Sequence, residues 1–233
     1  MLISGKKKRL VKEIVGLISN EICANPKAIL CLPTGSSPLP IYERIINLQQ
    51  KNKISLSEIT TYNLDEYLDL GDDVNNLSFR FFMNQNLFTQ VDIDLKNTYF
   101  PDTVAKFNKK LDGVDAFALT LIGVGSNGHI AFNEPGSPFG RTQIVDLTKS
   151  TINDNFLKYD LKQYPTKAIT MGLKDIFDKS KTVILIAWGE SKREAINQFI
   201  KAKESGVIDL QWPITHFINH PNFTIYTDLK FKC

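Results

Sequence analysis

Leu119-Thr-Leu-Ile-Gly-Val-Gly-Ser-Asn-Gly-His-Ile-Ala-Phe-Asn-Glu-Pro135 is the stretch around which this chain is organised. The apolar run from Phe117 to Ile122 predicts a buried strand. It runs straight into Gly123, Gly125 and Gly128, and then into His129, Asn133 and Glu134. Glycine lets backbone approach a ligand closely and adopt dihedrals that other residues avoid. A His and a Glu on one such turn pair a proton carrier with a carboxylate. Ligands of open α/β sheets bind at the carboxyl ends of strands, so these residue types crowded at one strand end point to a site.

The flanking segments repeat the strand-loop-helix pattern. Lys6 to Ala24 carries apolar residues at helical spacing, and Asn25-Pro26 stops it. Ala28 to Leu32 predicts a buried strand, Pro33-Thr-Gly-Ser-Ser-Pro38 a loop, and Leu39 to Gln50 a helix. Ile59 to Leu64 is a second strand, and Asp65-Glu66-Tyr67 reads as the loop at its end. A loop at Gly71-Asp-Asp73 precedes an aromatic-rich helix from Leu77 to Phe88. No basic residues alternate with Phe79, Phe81, Phe82 and Phe88, so these read as packing groups. Thr98 to Pro101 suggests a short strand and Thr103 to Leu111 a helix. Thr142 to Leu147 suggests a strand, and Ser150 to Tyr159 a helix capped by Thr148 or Ser150. Pro165 to Gly172 leads into a short helix through Phe177. Thr182 to Trp188 is the most continuous apolar strand, and Gly189-Glu-Ser-Lys192 opens a helix through Lys203. A short helix or turn from Trp212 to Phe217 and a strand from Phe223 to Thr227 follow. This alternation predicts an α/β fold, a mainly parallel sheet covered on both faces. Loops 33–38, 65–67, 123–135 and 189–192 then meet in one crevice.

Bulk composition narrows the function classes. The 233 residues contain no repeat, low-complexity segment or linker, so one domain over 1–233 is expected. A net charge of +3, from 28 basic and 25 acidic residues, gives no reason to expect a nucleic-acid partner. No stretch approaches the roughly 20 apolar residues that span a bilayer. The Lys-Lys-Lys-Arg run before residue 10 has no long apolar segment behind it; it reads as a helix start rather than a secretory signal. Cys23, Cys31 and Cys233 lack metal spacing and read as reduced thiols of a cytoplasmic protein.

The four loops carry defined chemistry. Thr34, Gly35, Ser36 and Ser37 precede a helix, where backbone N–H groups, the helix dipole and hydroxyls favour an anion. The Gly-Lys-Ser/Thr ending of a nucleotide P-loop is absent, and an ordinary capped turn fits the stretch equally well. Lys192 sits in a first helical turn, a poor place for a cation unless an anion shares it; a solvated Lys fits equally well. Together the two loops suggest a phosphate site. Strand neighbours alternate faces, so one of Asp65 and Glu66 enters the crevice, where it can act as base on a carbon acid; a capping or solvated pair is the other reading of these two residues. His129 with Glu134 forms a second acid-base centre. His216 and His220, four apart with no zincin Glu between them, read as structural, and neither a metal nor a cofactor is expected. A phosphate site with two acid-base centres suits isomerisation or elimination on a small sugar phosphate.

Pro33-Thr-Gly-Ser-Ser-Pro38, Asn63-Leu-Asp-Glu-Tyr67, Gly123 to Pro135 and Ala168-Ile-Thr-Met-Gly172 together resemble the glucosamine-6-phosphate deaminase (isomerase) family. The 6-phosphogluconolactonases share the Gly-x-Gly-x-x-Gly-His part but not the Asn-Glu-Pro after it. The resemblance implies a three-layer α/β/α sandwich with a modified Rossmann topology. It also implies conversion of a hexosamine 6-phosphate to the ketose 6-phosphate with release of ammonia. By resemblance, Asp65 is the base that moves a proton between C2 and C1, and His129 carries a proton from O1 to O5 to open the ring. Glu134 orients and charges His129, Asn127 takes the remaining ring-opening position, and Thr34, Gly35, Ser36, Ser37 and Lys192 hold the phosphate. The family's phosphate-gripping Arg is replaced by Leu157, which leaves the neighbouring Lys158 as a candidate substitute. Gln143 and Val145 replace basic residues of the allosteric phosphate site of hexameric members, so no allosteric activation by an amino-sugar phosphate is expected. The features around Leu157-Lys158 and Ala168 to Ile176 also resemble the galactosamine-6-phosphate branch, and no residue reads the C4 epimer. The expected partner is the small sugar phosphate, bound by a monomer or small homo-oligomer. A lactonase and a non-catalytic sugar-phosphate sensor are the rival readings.

Overall fold

The computed structural model describes residues 1–68, 70, 76–156 and 164–231. Its main sheet has seven strands, all paired in parallel. These are β1 (Leu2–Ser4), β2 (Ile29–Leu32), β3 (Thr60–Asn63), β5 (Thr98–Tyr99), β6 (Leu119–Gly123), β9 (Val183–Ala187) and β10 (Phe223–Thr227). Their spatial order is β1-β10-β9-β6-β2-β3-β5. Sheet order changes direction at β2: the chain goes on to β3 on one side, and β6 lies on the other. Such a switch point opens a crevice at the strand ends.

The period of two along a strand sorts side chains into the two helical layers. In β9, Ile184 and Ile186 join one core and Val183, Leu185 and Ala187 the other. The first core is covered by α1 (Lys7–Ala24) and α2 (Leu39–Gln50), with Leu10, Ile14, Ile18, Ile41 and Ile45 at helical spacing. α3 (Phe79–Asn86) adds Met83 to the same layer. On the opposite face α4 (Val104–Asp112), α6 (Leu173–Lys179), α7 (Arg193–Ser205) and a 3-10 segment, Pro213–Asn219, contribute Phe107, Ile176, Ile196 and Phe217. The main body is therefore a three-layer α/β/α sandwich, as expected.

Several boundaries depart from the sequence expectations. Residues 65–67 are not a loop. They form β4 (Asp65–Tyr67), which leaves the main sheet and pairs antiparallel with β8 (Lys167–Thr170). β8 pairs in turn with β7 (Gln143–Asp146) in a separate three-stranded sheet. β8 falls where only a lead into a helix was expected, and β1 was not expected at all. β9 ends at Ala187, one residue before Trp188. The expected helix over 150–159 is α5 (Lys149–Phe156), with the Thr148 hydroxyl accepting from Thr151 N–H; 157–159 lie outside the described residues. The expected loop at 71–73 also lies outside them.

Candidate active site

A cavity of about 230 Å³ opens at the carboxyl ends of β2, β3 and β6. It is lined by loop 33–38, by Leu64 and Asp65, by Gly123, Val124, Gly125, His129, Ala131 and Phe132, and by Phe79. Three of the four expected loop regions thus converge on one crevice.

Loop 33–38 is held by its carbonyls. The buried Tyr42 hydroxyl donates to Pro33 O at 2.5 Å, and Trp188 Nε1 donates to Ser37 O at 3.1 Å. Gly35 has φ +95°, a left-handed conformation that side chains disfavour. Among the described residues the backbone N–H groups of Thr34, Gly35, Ser36 and Ser37 donate no hydrogen bond. They stand just ahead of α2, where the helix dipole adds positive potential.

Asp65 and Glu66 take opposite roles because β4 alternates faces. Asp65, 7% exposed, faces the cavity. Burial, reinforced by the charge of Glu66, pushes its carboxyl up to about 8. Glu66 turns to α3, accepting from Phe79 N–H and Arg80 N–H at 2.9 Å each and from Tyr67 N–H at 3.0 Å. It satisfies otherwise orphaned donors at the helix start. Burial raises its pKa, while these N–H groups pull it down.

The motif after β6 folds back on itself. Gly125 N–H donates to His129 O at 2.9 Å, and Gly128 N–H to Gly125 O at 3.1 Å. A Cβ on Gly125 would stand 2.4 Å from His129 Nδ1, so a side chain here would push the imidazole out of place. Ala131, at φ +54°, carries the chain around to Asn133. Asn133 is buried and its amide donates to Ile130 O and Met171 O at 2.9 Å each, tying the motif to the end of β8. Asn127 joins both acid-base groups, accepting from His129 N–H at 3.2 Å and donating to Glu134 Oε2 at 2.8 Å. His129 Nδ1 lies 3.4 Å from Glu134 Oε1, within ion-pair range but off a hydrogen-bond direction. The His129 ring, with help from Asn127, holds the Glu134 carboxyl below its usual range against the effect of burial.

Lys192 does not line the cavity. It ends a 3-10 turn, Glu190–Lys192, at the start of α7, and half-burial lowers its pKa. The amide of Gly189 is already taken by Asp228 Oδ1 at 2.8 Å. Lys158 and Leu157 lie outside the described residues. The sequence reading missed the cavity's aromatic wall. Phe79 and Phe132 stack at 5.8 Å, and Tyr67 sits 4.5 Å from Phe79. It also missed Tyr42 and Trp188, whose polar tips reach loop carbonyls; a hydroxyl or indole in an apolar helix or strand end was the available signal. His216 is buried and stacks on Phe139, and His220 Nε2 is 3.0 Å from Ser180 O, as structural residues do. Among the described residues no cluster of three His, Cys, Asp or Glu is placed to hold a metal.

The crevice at the switch point brings together a buried carboxylate, an imidazole-carboxylate couple and an anion-ready turn, the parts of an acid-base site on an α/β sandwich. The chain belongs to the family described as glucosamine-6-phosphate isomerases/6-phosphogluconolactonase, whose profile matches residues 6–225. It is 39% identical to a glucosamine-6-phosphate deaminase of Mycoplasma mycoides subsp. mycoides SC, over 98% of this chain and 94% of that one. It is 36% identical to that of Malacoplasma penetrans, over 94% and 92%. Among solved structures, a monomeric glucosamine-6-phosphate deaminase matches with a TM-score of 0.86 at 32% identity, covering 97% of this chain and 95% of that one. A 6-phosphogluconolactonase of Thermotoga maritima matches at 0.71 and 19% identity, which is a likeness of fold.

Proposed function

We propose that the protein converts a 2-amino-2-deoxyhexose 6-phosphate to the ketohexose 6-phosphate and ammonia. One observation carries this: Asp65 and His129 line the same cavity as the hydroxyl-bearing turn 34–37. The similarity to glucosamine-6-phosphate deaminases supports it, and favours the glucosamine epimer over galactosamine.

The phosphate docks on the free amides and hydroxyls of residues 34–37, with the ammonium of Lys192 as counter-charge. Anchoring the remote phosphate orients the carbons at the other end of the cavity. His129 takes the proton from O1 and returns it to O5, opening the ring. Glu134 sets the imidazole's charge and Asn127 fixes its backbone. Asp65 then removes the C2 proton, giving an enolamine, and delivers a proton to C1. The resulting C2 imine takes up water and expels ammonia, so substrate and water balance ketose phosphate and ammonia.

The relation between Lys158 and the phosphate belongs to the same proposal. So do cytoplasmic location, monomeric or small homo-oligomeric state, and freedom from allosteric activation. The test is ammonia release from glucosamine 6-phosphate and galactosamine 6-phosphate in parallel. Release from one or both is expected. Silence from both at micromolar enzyme, with 6-phosphogluconolactone hydrolysed instead, would favour the lactonase. Tight binding without turnover would favour a sensor.

A further inference from the structure

Loop 33–38 and the turn holding Lys192 stand on strands that are not neighbours, because β6 lies between β2 and β9. One side chain crosses that interval. Trp188, between the end of β9 and Gly189, donates its indole N–H to Ser37 O at 3.1 Å, bonding partners 151 positions apart in sequence. Its ring packs on the core beneath α1 and α2, and the Lys7 ammonium stands 5.6 Å over it. Immediately after Trp188, Gly189 turns at φ +84° and leads to Lys192.

We infer that Trp188 is the positioning residue of the phosphate half of the site. The indole fixes the spacing between the free amides of residues 34–37 and the Lys192 ammonium, so that one phosphate meets both. The inference rests on the phosphate reading given above. Two groups on separate strands cannot share one small anion unless their separation is held. Among the described residues this is the hydrogen bond that joins the end of β9 to loop 33–38.

Trp188→Phe keeps an aromatic ring and deletes the donor. In the full-length chain, calorimetric affinity for inorganic phosphate should fall about fivefold, the scale of one lost hydrogen bond. KM for the hexosamine 6-phosphate should rise similarly, with kcat changed less. A double-mutant cycle separates positioning from packing. Lys192→Met should weaken phosphate about 30-fold in the parent chain but only about sixfold beside Trp188→Phe, because the shared geometry is already lost. Additive losses, or an unchanged phosphate affinity in Trp188→Phe, overturn the inference. If Trp188→Phe fails to fold, placing the benzothiophene analogue of Trp at position 188 removes the same N–H from an almost identical ring. A parent chain that releases ammonia yet shows no weakening in either variant refutes Trp188 alone. One that binds neither phosphate nor hexosamine 6-phosphate refutes the phosphate reading and this inference with it.

Discussion

Asp65 lines the cavity and Glu134 stands against the histidine that lines it, two carboxylates in opposite settings. Asp65 is buried beside another acid, and its pKa rises to about 8. Glu134 lies against an imidazole and an amide, and its pKa is pulled down. Neighbouring acids driven apart in this way take different roles. A carboxylate with a raised pKa binds a proton firmly and can carry it from one carbon to the next. One with a lowered pKa stays charged and serves the histidine beside it.

Asp65→Asn removes the carbon base of the proposed mechanism. Ammonia release should fall at least about a thousandfold. Calorimetry should still detect sugar-phosphate binding. Substantial residual turnover would move the base elsewhere. Glu134→Gln leaves the base intact but neutralises the partner of His129, and kcat should fall about a hundredfold. A cyclic substrate should suffer more than one already in the open-chain form. Equal losses for both would detach Glu134 from ring opening.

The pH profile tests the same contrast. A base works only when ionised, so kcat/KM should rise about tenfold per unit up to about pH 8 and then level, following the free-enzyme value of Asp65. The limb in kcat should lie at lower pH, because an ammonium on C2 of the bound sugar favours the Asp65 anion. A limb near pH 4 would refute the environment described for Asp65.

Stability should move the other way. A carboxyl raised in the folded state disfavours folding once the unfolded chain ionises. Stability is therefore intact below the unfolded value near 4 and declines as pH rises to about 8. Asp65→Asn should relieve this, with a gain growing by about 1.4 kcal/mol per pH unit at most over that window. Thermal melts of both proteins at pH 4, 6 and 8 measure it. For Glu134 the sign reverses. Its lowered pKa stabilises the fold at neutral pH, and Glu134→Gln should lose Tm there, with the difference closing as acid protonates the parent residue.

Much of this site was legible in the residues. The strand-glycine-histidine run, the hydroxyl-rich turn and Asp65 announce themselves by chemistry and by position at strand ends. The two-layer core follows from period-two burial in strands as apolar as Val183–Ala187. The small sheet was hidden for a physical reason. Asp65–Tyr67 has three residues and Lys167–Thr170 four, too short to show a period, and their pairing joins segments about 100 positions apart. Glu66 illustrates the same limit. A cap whose helix begins at Phe79 is written nowhere near residue 66. The position of Lys192 outside the cavity lining depends on how tightly the turn after Gly189 winds, which composition does not encode.

The chain changes sheets between Asn63 and Asp65, with Leu64 as the corner, its carbonyl held by Met171 N–H at 2.6 Å. Asp65 therefore rides on a small structural unit. Among the described residues, Tyr67, Phe132, Phe156 and Ala168 are the buried members of that unit's own apolar cluster, while Ile130, next to His129, belongs to a core of the main sandwich. A patch with so little buried apolar mass opens at a lower free energy than the central strands. On heating, catalysis should consequently fail some degrees before the far-ultraviolet signal does, and it should return on brief cooling, because the scaffold that re-seats Asp65 has never come apart.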